Sequence, residues 1–108
     1  MPFARHNPRF QDPNLNANIA AGIGFRALAA DLGTSAAALA IAWLLHQDDH
    51  VIPIPGTRSV SHFREHCAGA RLSLSAEDIA RIETELPVGW AHGDRYSVDQ
   101  WIGPERYC

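Results

Sequence analysis

The sequence predicts a mixed α/β chain, mostly helical, that holds one strand and cannot complete a sheet by itself. Three observations lead there. Four segments carry helical periodicity or helix-end signals, one short apolar run (Val51–Ile54) lies between two of them, and 108 residues offer no second convincing strand. A single strand cannot satisfy its own N–H and C=O groups, and an isolated pair is marginal. The pattern is that of a fragment of a βα repeat. Either the chain is the end of a longer α/β protein, or its strand pairs with another chain.

Residues 1–13 hold Pro2, Pro8 and Pro13 without periodicity and read as an extended lead-in. From Asn14, apolar Leu15, Ile19 and Ile23 recur every four residues. Phe25, Leu28 and Leu32 continue the face to Gly33, a residue favoured just past a helix end. Gly22 and Gly24 each cost such a helix about 1 kcal/mol relative to Ala. Thr34 is a natural N-cap for a second helix from Ala36 to about His46, and its Leu39–Leu45 run is apolar nearly all round. The polar turn Gln47–His50 leads into Val51–Ile54, where Pro53 is disfavoured for a central strand.

Beyond Pro55-Gly56, a third helix of about ten residues presents Val60, Phe63, Cys67 and Ala70 on one face. Ser75-Ala76-Glu77-Asp78 has capping-box form, and Leu74 and Ile79 are placed for a hydrophobic staple. Ile79, Ile82 and Leu86 define the buried face of this fourth helix, which Pro87 ends. The main segment is therefore residues 14–87. The tail, 88–108, carries Trp90, Tyr96, Trp101 and Tyr107 without period.

Composition excludes several functions. The net charge of −3 gives no general attraction to nucleic acid or acidic membranes. All nine basic residues are Arg, so a P-loop lysine, a Schiff-base lysine or a Tyr/Lys proton relay cannot come from this chain. Cys67 and Cys108 form neither a disulfide framework nor a zinc pattern. With no leader-like apolar core and no membrane-length run, the expected location is the cytoplasm.

Chemistry concentrates at Gly56-Thr57-Arg58-Ser59. The order strand, tight loop, helix start builds an anion site, because the first turn of a helix has unpaired N–H groups and the positive end of the macrodipole. Two hydroxyls and a guanidinium there make a phosphate clamp. The bland alternative is equally consistent with the residue types: Ser59 caps the helix, Gly56 turns the chain and Arg58 is solvated.

From Asn7-Pro8-Arg9-Phe10-Gln11 to Gly93-Asp94-Arg95-Tyr96, the chain resembles the C-terminal third of an aldo/keto reductase. The resemblance is carried by Ala29-Ala30-Asp31-Leu32-Gly33-Thr34-Ser35, Ala40-Ile41-Ala42-Trp43-Leu44-Leu45, Val51 through Ser59, and Leu74-Ser75-Ala76-Glu77-Asp78. It implies the C-terminal portion of a (β/α)8 TIM barrel, not a complete one, with Val51–Ile54 as the eighth strand. Such barrels place phosphate sites after strands seven and eight. The resemblance further implies NADP(H) as cofactor and a small carbonyl substrate in a complete enzyme. Gly56, Thr57, Arg58 and Ser59 would hold the 2′-phosphate and nearby oxygens, and Glu65 would reach the adenine amino group. His62 stands where the family commonly has Arg, and His66 where it usually has Asn, which leaves the preference for NADP over NAD open. The family's catalytic Tyr, Lys, Asp and His lie on earlier strands, so no catalytic residue is assigned here. In the family, C-terminal loops shape the substrate pocket; the tail aromatics either do so or pack locally.

Three rivals remain. His62 and His66 lie four apart, as metal ligands can, but no third ligand is evident. Leu28–Leu39 scans like a helix-turn-helix, yet no Arg or Lys lies between Arg26 and Arg58 to meet phosphate, so nucleic acid is not expected as a partner. A non-catalytic remnant or small helical interaction module would expose apolar faces and self-associate.

Overall fold

The structure, a computed structural model, describes residues 3–101. Four helices carry it: α1 (Asn14–Asp31), α2 (Ala36–Gln47), α3 (Val60–Arg71) and α4 (Ala76–Glu85). Short 3-10 turns occupy Phe3–His6, Pro8–Phe10 and Val98–Gln100. The lead-in is thus two tight turns, not an extended arm. It is held there because Asn14 and Asn18 donate their side-chain amides to the carbonyls of Pro8 (3.1 Å) and Arg9 (3.2 Å).

Local signals explain the helix ends. Gly33 takes φ 71°, Thr34 N–H donates to Ala29 C=O (2.9 Å) and Gly33 N–H to Ala30 C=O (3.0 Å). These bonds close α1 in a Schellman motif. They also move the next cap: with Thr34 engaged in that closure, Ser35 caps α2, its Oγ accepting Ala38 N–H at 3.1 Å. Ser75 and Asp78 form the expected capping box of α4, with reciprocal bonds of 2.9 and 3.1 Å.

No strand and no barrel exist among the described residues, so the strand expected at Val51–Ile54 is not formed. The segment lacks any neighbour to complete a ladder, and Pro53 removes one of its donors. It keeps a strand's alternation nonetheless: Val51 and Pro53 are half-buried while Ile52 and Ile54 are 83% and 93% exposed.

The core is small. Leu28 and Ala29 of α1, Leu39 of α2 and Ile82 of α4 meet, surrounded by Phe25, Leu32, Trp43, Leu72, Leu74 and Ile79. Only the C-terminal half of α1's apolar face enters it; Ile19 and Ile23 stay exposed. Helix α3 also departs from expectation. Val60 and Phe63 face solvent, and α3 reaches α2 through Gly69 instead. A Cβ at Gly69 would sit 2.5 Å from the Ala38 carbonyl oxygen and 2.8 Å from Ile41 Cβ, so the two backbones cross closely. The radius of gyration is 15.0 Å, against about 13 Å for a compact chain of this length.

Two stability predictions follow from these contacts. Gly69→Ala should destabilise the chain by about 1–3 kcal/mol, because overpacking at the crossing outweighs helix propensity. Gly22→Ala, where a Cβ would meet nothing within 4 Å, should stabilise it by about 0.5–1 kcal/mol. Thermal melts of the two variants should shift in opposite directions.

Asp78 supplies a pH test. Its carboxyl is held below the ordinary value of 3.8 by the Ser75 backbone N–H first, then by the Ser75 hydroxyl and the Arg81 charge, against a small opposing effect of burial. A depressed folded-state pKa contributes stability that is present above the unfolded value and lost as pH falls through the folded one. Asp78→Asn should therefore melt below the parent at neutral pH, with the gap narrowing through the acid carboxyl range. A gap independent of pH would assign the cap's contribution to hydrogen bonding without charge.

Candidate cofactor-binding turn and helix

The residues singled out in the sequence lie together at the start of α3. Ser59 is its N-cap, with Oγ accepting His62 N–H at 3.3 Å. Thr57 Oγ1 accepts Ser59 N–H (3.1 Å) and donates to Ser59 C=O (3.3 Å), which fixes the turn leading into the helix. Both hydroxyls therefore already have structural work. The N–H groups of Val60 and Ser61, at the first two helical positions, have no acceptor inside the helix. They open toward solvent beside the positive end of the α3 dipole.

Arg58 is exposed between these two residues and makes no hydrogen bond or ion pair among the described residues. Gly56 is exposed as well. Its φ is not in the left-handed region, and a Cβ there would meet no atom within 4 Å. Neither the turn nor the packing requires a glycine at this position.

The next turns of α3 separate the remaining candidates. His62 is exposed and Glu65 half-buried. His66 turns inward: it lines a shallow cleft of about 250 Å³ with Ile41, Leu45, Pro53, Pro55 and Cys67, and its Nδ1 is buried with no hydrogen-bond partner. His62 and His66 thus share a helix but not an environment. Among the described residues, no group of three or more His, Cys, Asp or Glu is placed to hold a metal ion.

A second concavity lies across the molecule's core. Gly22 and Phe25 of α1, Ala40, Trp43 and Leu44 of α2, Ile82 and Leu86, and Trp90 line an apolar groove of about 390 Å³. Trp90 is brought there by contacts that tie the tail to α1 and to the N-terminal turns. Asn18 forms a two-way amide bridge with His92, donating to its C=O (2.9 Å) and accepting its N–H (2.7 Å). Arg9 Nε donates to Gly93 C=O at 3.1 Å. Asn14 and Asn18, four apart on one helix face, were the available signal. Tyr96 and Trp101 pack locally, edge to face at 5.3 Å, and Tyr107 lies outside the described residues.

Comparison with known proteins agrees with this layout. The aldo/keto reductase family model matches residues 2–86, which spans α1 to α4 and the whole 51–59 turn. The chain belongs to the aldo/keto reductase family. It is 34% identical over 90 residues to a probable aldo-keto reductase 1 of Glycine max, an alignment covering 83% of this chain and 26% of that protein. The chain therefore spans about a quarter of the length of this curated relative. No solved structure matches it.

Within the aldo/keto reductase match lie all seven candidate residues: Gly56, Thr57, Arg58, Ser59, His62, Glu65 and His66. The match ends before Gly93-Asp94-Arg95-Tyr96, so the tail aromatics stand outside it. The family implies a barrel; among the described residues there is neither strand nor barrel, in a chain that covers 26% of this relative. Among those residues no single helix is long and apolar enough to cross a membrane.

Proposed function

We propose that this chain supplies the adenosine-phosphate side of an NADP(H) site in a cytoplasmic aldo/keto reductase acting on a small aldehyde or ketone. The observation that carries the proposal is the pairing of Gly56 with Arg58. One is a glycine that the fold does not need, and the other is an exposed guanidinium without a partner beside a helix N-terminus. A backbone left bare and a cation left unpaired suit close approach of a phosphate.

The roles divide by chemistry. Arg58 pairs with the 2′-phosphate through its planar fork of donors. The Val60 and Ser61 N–H groups donate to the adjoining phosphate oxygens, while Thr57 and Ser59 hold the turn in shape and retain lone pairs and hydroxyl rotation for the ligand. Glu65 accepts from the adenine amino group, and an exposed His62 stacks on the base in place of a longer cation. His66 supports from behind, against Pro53 and Pro55. The bound NADPH supplies the hydride. Proton transfer to the carbonyl needs groups that this lysine-free segment does not bring, so the reaction belongs to the complete barrel.

A second reading has its own support. Ile19, Ile23, Ile52, Ile54, Val60 and Phe63 are all exposed, which suits a non-catalytic remnant that self-associates as well as it suits one part of a larger enzyme.

Two measurements test the proposal. In a complete reductase containing this segment, Arg58→Ala should weaken NADPH binding by about 2 kcal/mol, the scale of a charged hydrogen bond, and leave NADH nearly unchanged. Equal losses for both nucleotides would remove the 2′-phosphate assignment. The purified 108-residue chain should bind nucleotide at most weakly and give no NADPH-dependent reduction of a simple aldehyde; turnover would place catalytic groups within it.

A further inference from the structure

We propose that His62 makes the choice between NADP(H) and NAD(H) depend on pH: it takes up a proton when the 2′-phosphate binds at the start of α3, and so favours NADP(H) increasingly as pH falls through the imidazole range. This deepens the nucleotide reading and rests on it. Every group it needs on this chain lies between Arg58 and His66, and no face left open by the length of the chain enters it.

Helix geometry puts the imidazole beside the site. His62 is the third residue of α3, and its N–H donates to the Ser59 cap at 3.3 Å, so it shares the first turn with the open N–H groups of Val60 and Ser61. Cα–Cβ bonds in a helix tilt toward its N-terminus, so a side chain at this position leans back over that turn. The His62 side chain is exposed and makes no hydrogen bond or ion pair among the described residues. His66, one turn further on, cannot take the role. Its ring turns into the cleft with Ile41 and Pro53, where Nδ1 is buried.

Charge decides what the ring does there. A phosphate monoester carries about −1.5 to −2 near pH 7. Arg58 meets one of these charges and the helix end about half of another, which leaves room for one conditional cation. The first turn of α3 holds no acidic residue, and Glu65, the one carboxylate on the helix, is half-buried a turn beyond. Arg64 projects about 200° round the helix from His62. Helix α3 packs chiefly on α2 and on residues 51–55. The segment 51–55 brings no charge; α2 brings His46, with Asp48, Asp49 and His50 in the turn after it, all exposed. These groups act on His62 with and without nucleotide, so only the phosphate is new on binding. A proton on the ring is then held more tightly in the NADP(H) complex than in the free site, and by linkage the protonated site binds the phosphate more tightly. NAD(H) has a hydroxyl at that place and gains nothing. An arginine at 62 would carry its charge at every pH; the imidazole makes it conditional. The acid limit is set by the phosphate itself, which takes its second proton at about pH 6.

In a complete reductase containing this segment, the preference for NADPH, read as the ratio of the NADH and NADPH dissociation constants, should rise about three- to fivefold from about pH 8.5 to about pH 6.5. Calorimetry in two buffers of unlike ionisation enthalpy should show proton uptake on NADPH binding and none on NADH binding. His62→Gln should abolish both the slope and the uptake, with unchanged circular dichroism and NADH affinity verifying that the variant is folded. His62→Arg should prefer NADPH at least as strongly as the parent and lose the slope. His66→Gln should keep it. A slope that survives His62→Gln, or NADPH binding without proton uptake, overturns the proposal and leaves the Arg58 assignment standing. NADPH affinity untouched by Arg58→Ala places the phosphate elsewhere and removes both.

Discussion

Helix α2 is apolar on nearly every side, so each of its faces must be covered by something, and the rest of the molecule is arranged by how that cover is found. Leu39 faces α1 and α4, where Leu28, Ala29 and Ile82 close the small core around it. Ala38 and Ile41 face α3, and the glycine at position 69 lets that helix come close enough to bury them. A third side, with Leu44 and Leu45, opens toward the apolar groove and the 51–55 segment and remains partly in water. Two covered sides make the chain fold; the uncovered one marks where a larger protein or a second copy belongs.

The candidate nucleotide site depends on the same arrangement. The Gly69 crossing fixes the axis of α3 against α2, and so fixes where the first turn of α3 points. Ser59 and Thr57 then set the last few residues before the helix through short-range hydrogen bonds that need no distant partner. An anion site of this type is largely local. Its parts, helix-end donors, a cap and a guanidinium, come from ten consecutive residues, so they are all present in a segment covering 26% of its relative's length. Catalytic groups gathered from several strands have no such independence.

The same locality explains what could be read in advance. Helix existence, the Gly33 terminus and the Ser75–Asp78 box were legible because each follows from a few neighbouring residues. Thr34 was misread as a cap because closing α1 uses its N–H first, a competition between two adjacent motifs. The tail was illegible: Trp90 is placed by the Asn18–His92 bridge, which joins residues 74 apart.

The sequence by itself determined the helices, the Gly33 terminus of α1, the Ser75–Asp78 capping box, the composition of the turn at 56–59 and, through its ordered motifs, membership of the aldo/keto reductase family. Only the tertiary structure decided which faces those helices use. Val60 and Phe63 lost the inner side of α3 to Gly69, since a close backbone crossing needs a missing side chain more than it needs an apolar one. Only the tertiary structure, too, left Val51–Ile54 unpaired: apolar pattern can nominate a strand, but a strand exists only when another backbone stands beside it to take its hydrogen bonds.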